Sequence, residues 1–325
     1  MGIQERVQQR FTGTSVGASV LVPVSRQSRF MEESLESICR SVEKFSGAKE
    51  LVLCQDVSVS NNANLKIYGF LERLSKNFSF VRLIQNPGAT GMRPTRIHAI
   101  QSAKYETLIF TDDDCVVELE WVTQIYERVQ KLGVVTGPIE SIERGHPKEG
   151  VYSRLESLID QYRAHARTRG GMAKFVSFPN LGIQKNLLPE TPFDSSSSLY
   201  GNDMDLGCRL RVRGVQIHVA EDLVVRTEYP KSLIHVLRRK LAHAQGIAYV
   251  QRRMGPKRWK ELEIGTHGKI LKRWVGISLC APVPLREKLV FLVMNMTYCL
   301  GLMFYFHVML RSVPMIDDLS PVQYA

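Results

Sequence analysis

Leu108-Ile109-Phe110-Thr111-Asp112-Asp113-Asp114-Cys115 is the stretch on which the reading of this chain turns. Its apolar opening reads as a short buried strand, and three carboxylates stand in a row at the end of it. Neighbouring Asp side chains repel one another, and partial burial raises the cost. A divalent cation relieves both problems, because hard cations take carboxylate oxygens as ligands. Where few protein ligands hold such a cation, positions stay open for waters and substrate phosphates. The stretch therefore predicts a metal–diphosphate site at the carboxyl end of a sheet strand. The bland alternative is an acidic loop that only begins the helix after Val116, since acidic residues are favoured at helix starts.

Outward from this point the chain alternates strand and helix. Ala18 to Val24, Glu50 to Cys54, Phe80 to Ile84 and Thr107 to Phe110 read as buried strands. Between them, Phe30 to Phe45 puts Leu35, Ile38, Val42 and Phe45 on one helical face, and Leu65 to Leu74 and Thr95 to Ala103 also read as helices. Downstream, a helix carries Trp121, Ile125 and Val129, and Val134-Val135 adds a short strand. Tyr152 to Arg167 reads as an amphipathic helix and Phe175 to Gln184 as one or two strands. Asp194-Ser195-Ser196-Ser197-Ser198 marks an exposed loop beside the cleft, and Gly201 to Leu206 enters a helix that Gly214 ends. Strands alternating with helices imply right-handed crossovers and a mostly parallel sheet. Ligands of such sheets bind beyond the carboxyl ends of the strands. That rule puts Asp56, the loop from Gly88 to Arg93 and Asp112 to Asp114 on one rim.

Composition narrows the partners. The 325 residues suffice for one large α/β domain with extensions, and 44% hydrophobic content argues against global disorder. A net charge of +11 and a pI near 9.4 call for an anionic partner: nucleic acid, a membrane surface or a phosphorylated substrate. The six cysteines show no CxxC pair and no zinc spacing, which suits a reducing compartment. The opening MGIQERVQQRF lacks the apolar core of a signal peptide, and Arg6 stands where a myristoylation signal has Ser or Thr.

Five motifs follow one another along this frame. A strand ends in Val22-Pro23, and Gln55-Asp56 follows the second strand. Asn86-Pro87-Gly88-Ala89-Thr90-Gly91-Met92-Arg93 is a Gly-rich loop with an Arg, and Asp112-Asp113-Asp114 is a DxD motif. Asn202-Asp203-Met204-Asp205-Leu206 precedes Arg209-Leu210 and Gly214. In this order and spacing the motifs resemble an inverting GT-A glycosyltransferase of family 2, over about Ser19 to Gly246. The resemblance implies an α/β, Rossmann-like GT-A fold with a mostly parallel central sheet and flanking helices. It implies a catalytic domain over residues 1–250, with a nucleotide-sugar-binding half at about 15–137 and an acceptor half at about 138–250.

The resemblance also implies a nucleotide-diphosphate-sugar donor, with uracil as the expected base and guanine or thymine open, and Mn2+ or Mg2+ as cofactor. Pro23, Asp56, Arg93, Asp112, Asp113 and Asp205 are the substrate-binding candidates. Asp56 would accept hydrogen bonds from the base, Arg93 would contact base or diphosphate, and Asp112 would touch the ribose. Asp114 is the metal ligand, and Asp113 leaves that assignment open by one residue. A metal there would serve as Lewis acid for the departing diphosphate. Asp203 would remove the proton of the acceptor hydroxyl as it attacks from the opposite face, inverting the anomeric carbon. Asp205 would support Asp203 or the acceptor. Arg238, Arg239 and His243 could clamp the leaving diphosphate. The plain alternatives are a turn residue at Asp56, a surface cation at Arg93, a helix N-cap at Asn202 or Asp203, and a solvated basic helix around Arg238 and Arg239.

The chain departs from the family pattern at Gln55, at Asn202 (in place of Glu) and at Arg226, which stands where some relatives place a His and could meet the diphosphate directly. It has no Gln-x-x-Arg-Trp: Leu237-Arg238-Arg239-Lys240-Leu241 is basic without the Trp, which favours transfer of a single sugar.

Residues 251–325 read as a basic amphipathic segment followed by a candidate transmembrane helix at 289–310. Leu289 to Leu310 carries no formal charge and has the length to span hydrocarbon, and Arg311 closes it. A buried helix packed on the catalytic domain is the alternative. The basic excess before it predicts the cytoplasmic membrane, the catalytic domain facing the cytoplasm, and Ile270 to Leu285 held on an anionic membrane surface. That placement favours a lipid-linked or cell-surface glycan acceptor. Two rival classes fit less well. A nucleotidyltransferase also clusters carboxylates, but Val24-Ser25-Arg26 is a poor match to its Gly-rich signature. A basic nucleic-acid- or membrane-binding protein without catalysis would explain the charge. However, no nucleic-acid-binding motif occurs, so no nucleic-acid partner is expected.

Overall fold

The computed structural model describes residues 16–24, 29–56, 65–88, 90–144, 149–164, 170–190, 192–193, 201–265 and 267–309. The N-terminal MGIQERVQQRF, Ser25-Arg26, the Asp194–Ser198 run and Arg311 lie outside these residues.

Strands β1 (Ala18–Val24), β2 (Lys49–Gln55), β3 (Val81–Gln85) and β4 (Thr107–Phe110) pair in parallel, in the order β3-β2-β1-β4. All of β1 is buried, as an unbroken apolar run requires of a strand covered on both faces. Helices α1 (Met31–Lys44), α2 (Leu65–Asn77) and α3 (Met92–Ser102) return the chain between these strands. The expected stripe of α1 is present: Leu35, Ile38 and Val42 are buried, with Phe45 just past its end.

Beyond β4 the pairing changes. β5 (Cys115–Val116) follows the three aspartates at once, and helix α4 (Trp121–Leu132) starts only later. The carboxylates therefore sit in a turn between two strands, not in the first turn of a helix. β6 (Val134–Thr136) and β7 (Ile139–Ser141) follow, then helix α5 (Val151–Ala164). β8 (Leu181–Gln184) runs antiparallel to both β4 and β6, and β9 (His218–Val219) lies parallel to β6. The sheet thus has seven strands in the order β3-β2-β1-β4-β8-β6-β9. Phe175 to Gln184 resolves into one strand after a 3-10 turn at Phe178–Asn180. Gly182 is where β8 meets α4: a Cβ there would lie 2.6 Å from Val129 and 2.8 Å from Ile125. In a second sheet, β5-β10-β7, β10 (Val225–Thr227) pairs with the strand that follows the aspartate turn.

Helices α6 (Asn202–Val212), α7 (Leu233–Glu261), α8 (His267–Cys280) and α9 (Leu285–Phe304) follow, and a π-helical turn, Tyr305–Met309, ends the described chain. α7 bends at Gly255, whose φ is 72°, ahead of Pro256. α8 and α9 fold back on it around Trp259, Trp274, Phe291 and Met294. Leu285 to Val308 is long and apolar enough to cross a membrane by length and composition, yet one side of it packs on α7 and α8.

Candidate active site

A cavity of about 1220 Å³ lies past the carboxyl ends of β2, β4 and β6. It brings together Asp56, Asp112, Asp113, Asp114, Asp203, Arg238 and Arg239 from distant parts of the sequence. Pro23, Arg93 and Asp205 do not line it. Pro23 is buried in β1 opposite Cys54, and Arg93 is half-buried at the start of α3. Asp205 is buried and bonded to Arg209 Nε at 2.9 Å, which ties the first turn of α6 to the next.

The Gly-rich loop is fastened by Asp56, which is 1% exposed. Its Oδ2 accepts from the Gly91 N–H and, at 3.3 Å, from the Thr95 hydroxyl. Gly91 has φ 117° and stands at the N-cap of α3, a backbone state that favours glycine. The Asn86 side-chain oxygen accepts from the Gly88 N–H at 3.1 Å. The cation that α3 sends into the cavity is Arg96 rather than Arg93. Arg96 bonds Asp112 Oδ1 at 2.6 Å and stands 4.5 Å over the Phe178 ring. The available signal was its helical phase: Thr95, Arg96, Ala99 and Ile100 form the buried face of α3, so an Arg stood on an inward stripe.

At the aspartate turn Asp113 is 3% exposed and Asp114 partly buried. Burial and the neighbouring Asp112 push the Asp114 carboxyl above its ordinary value, against the smaller opposing pull of Arg239, Cys115 and Thr227. Hard oxygens with a surplus of negative charge suit Mn2+ or Mg2+. Among the described residues no group of three His, Cys, Asp or Glu is placed to enclose a metal. A cation held through Asp114 would therefore complete its shell with phosphate oxygens and water.

The opposite wall comes from α6 and α7. Gly201, φ 93°, is the N-cap of α6, and a Cβ on it would lie 2.9 Å from the Gly246 backbone of α7. This close crossing turns Asp203 toward the cavity that Arg239 and His243 also line. No side chain caps α6, so Asp203 is not spent as an N-cap. Asn202 is 4% exposed, lines the cavity, and its Oδ1 has no hydrogen-bond partner among the described residues.

Arg239 lies 5.6 Å over the Tyr229 ring, and the Tyr229 hydroxyl donates to Asp160 at 2.7 Å. Burial works against the Arg239 charge, but Glu156, Asp160, Tyr229 and Asp114 outweigh it and raise its pKa. Beside it, Lys240 pairs with Glu156 at 2.6 Å, both 3% exposed. This part of α7 is thus not a solvated basic face, although Arg238 itself is exposed. Arg226 is exposed, bonded to Glu118 at 2.8 Å, and does not line the cavity. The cations facing the aspartate turn are Arg96, at Asp112, and Arg239, toward Asp114.

A mostly parallel, Rossmann-like sheet with an aspartate turn at its rim, facing a carboxylate and arginines across a large cleft, defines a GT-A glycosyltransferase. Residues 19–191 match the family model for Glycosyl transferase family 2, and residues 108–314 match that for Glycosyl transferase family group 2. The chain belongs to glycosyl transferase family 2. No curated protein shows a significant sequence match to it. Among solved structures, the mannosyltransferase PcManGT from Pyrobaculum calidifontis, in complex with GDP-Man and Mn2+, superposes with a TM-score of 0.61 at 12% identity, over 93% of this chain and 92% of that one. S. aureus TarS 1-349, in complex with UDP-GlcNAc, gives a TM-score of 0.46 at 12% identity, over 91% of this chain and 92% of that one.

Proposed function

We propose that this glycosyltransferase moves a single hexose-type sugar, with inversion and with Mn2+ or Mg2+, from a nucleotide-diphosphate-sugar to an acceptor hydroxyl. The acceptor belongs to lipid-linked or cell-surface glycan synthesis at the cytoplasmic face of a membrane. The observation that carries this reading is one cavity in which Asp114 and Arg239 face each other while Asp203 occupies another wall. Asp114 would hold the metal, which when bound supplies charge neutralisation for the departing diphosphate, and Asp112 would meet the ribose. Arg239, Arg238 and His243 offer the diphosphate its remaining cations. Asp56 fixes the loop beside the base and accepts its hydrogen bonds. Asp203 takes the proton of the attacking hydroxyl. Asp205, through Arg209, keeps the Asp203 turn from moving.

The test is hydrolysis and transfer across a panel of nucleotide sugars, with Mn2+ and with chelator. UDP-sugars come first, and GDP-mannose, the ligand of PcManGT, belongs on the panel. The expected result is one donor turned over with Mn2+ and little or no turnover under chelation. A chain that binds and turns over no nucleotide sugar would sink the proposal.

A further inference from the structure

Helix α9 is apolar on both sides: Phe291, Met294, Cys299 and Leu302 are buried against the protein, and its outer face is apolar as well. Two of its polar side chains, Glu287 and Asn295, are turned inward and are 3% and 2% exposed. Glu287 pairs with Arg154 of α5 at 2.6 Å, and Asn295 donates to Ser278 of α8 at 2.9 Å. On the outside stand Leu285, Leu289, Val293, Leu300 and Phe304, each half exposed or more. At 3.6 residues per turn these five fall within about 100° of arc. A helix on a water-facing surface carries polar residues on its outer face, and an apolar stripe of this length marks a surface that meets something apolar.

The charge beside the stripe identifies what that is. Lys269, Lys272 and Arg273 are exposed on α8, and Arg286 is exposed at the start of α9. The sequence of α8 contains no acid, and the one acid of α9, Glu287, is buried. A second copy of the chain would bring these cations against each other. An anionic bilayer would accept both the cations and the stripe.

The buried side decides the orientation. A Cβ on Gly301 would lie 2.9 Å from Leu241 and 3.2 Å from Ala244, so α9 rests directly on α7. Tyr298, in the middle of that contact, lines the catalytic cavity. If α9 crossed the hydrocarbon, the stretch of α7 it rests on would have to enter with it and bring the exposed Arg238, a heavily penalised charge there. We propose that α9 lies in the plane of an anionic bilayer surface, its stripe among the acyl chains and the cations of α8 among the headgroups. The cavity wall at Tyr298 then stands at headgroup level. Its use by a lipid-borne acceptor rests on the transferase reading, whereas the membrane contact does not.

The test is flotation of the full chain, without donor or metal, on vesicles of phosphatidylcholine alone or mixed with phosphatidylglycerol. Binding is expected on the anionic vesicles, weakened about tenfold by high salt. L289E/V293E is expected to weaken it by about tenfold or more. K269Q/K272Q/R286Q is expected to remove the preference for phosphatidylglycerol. Unchanged melting temperatures of the variants show that they fold. Membranes from expressing cells should release the protein into alkaline carbonate. Retention after carbonate, with a protease-protected span, would overturn the in-plane placement. A homodimer broken by L289E/V293E, with no vesicle binding, would assign the stripe to a second copy. A monomer that binds neither vesicle would mean that the chain itself covers the stripe. Nucleotide-sugar turnover is measured separately, so either reading can fail without the other.

Discussion

Asp203 and Asn202 are adjacent in sequence, and different roles are proposed for them. Asp203→Asn keeps the shape of the first turn of α6 but removes the carboxylate proposed to take the proton. Transfer is expected to fall by about two to four orders of magnitude, with donor affinity by titration calorimetry unchanged. Undiminished transfer would remove Asp203 from the mechanism. Asn202 leaves a buried oxygen unsatisfied, an arrangement that costs on the order of 1–3 kcal/mol unless a ligand donates to it. Asn202→Ala is therefore expected to raise the KM for the acceptor about tenfold while leaving the melting temperature level or higher. An unchanged KM with a lower melting temperature would make Asn202 a purely structural residue. The aspartates of the site were legible at this scale because a row of carboxylates after an apolar strand has few inexpensive explanations. Arg96 was not, because the motif drew attention to Arg93 and only the phase of α3 distinguishes the two.

At the scale of elements, the crossing of α6 over α7 decides where the acid sits. Gly201→Ala forces a Cβ against the Gly246 backbone at a position with φ 93°. A loss of about 1–3 kcal/mol is expected in denaturant unfolding, and kcat should fall more than donor affinity as Asp203 shifts. Retention of both would show that the crossing has room to spare. Strands β1 to β4 were readable because each is a short apolar run between turns or helices. The reversal at β8 was not, because nothing in Leu181–Gln184 records that it pairs backward with β4 and β6. β5 and β9, at two residues each, are too short to leave any period. Arg226 misled for a related reason: alternation in β10 turns it outward between buried Val225 and Thr227.

For the whole molecule, several acids tie distant segments together, and Glu143 joins two of them at once. It is bonded to Arg29, beyond β1, and to Lys231, on the cavity rim, at 2.8 Å in the latter case. Burial pushes its carboxyl up, but Lys231 and Arg29 outweigh burial and hold it below the ordinary value of 4.5. A depressed carboxylate contributes stability that is complete above its unfolded value and is lost as pH falls through the folded one. Glu143→Gln is expected to lower stability by about 1 kcal/mol at neutral pH and to flatten the acid limb of melting temperature against pH. An acid limb of unchanged slope would show that the pair is screened. The seat of α9 on α7 also bears on how the enzyme can be prepared. Clipping the chain at Pro284 to obtain a fragment free of detergent would strip Tyr298 from the catalytic hollow and bare Leu241 and Ala244 to water. Solubility in this protein is better sought by recolouring the outer side of its last helix than by cutting that helix away.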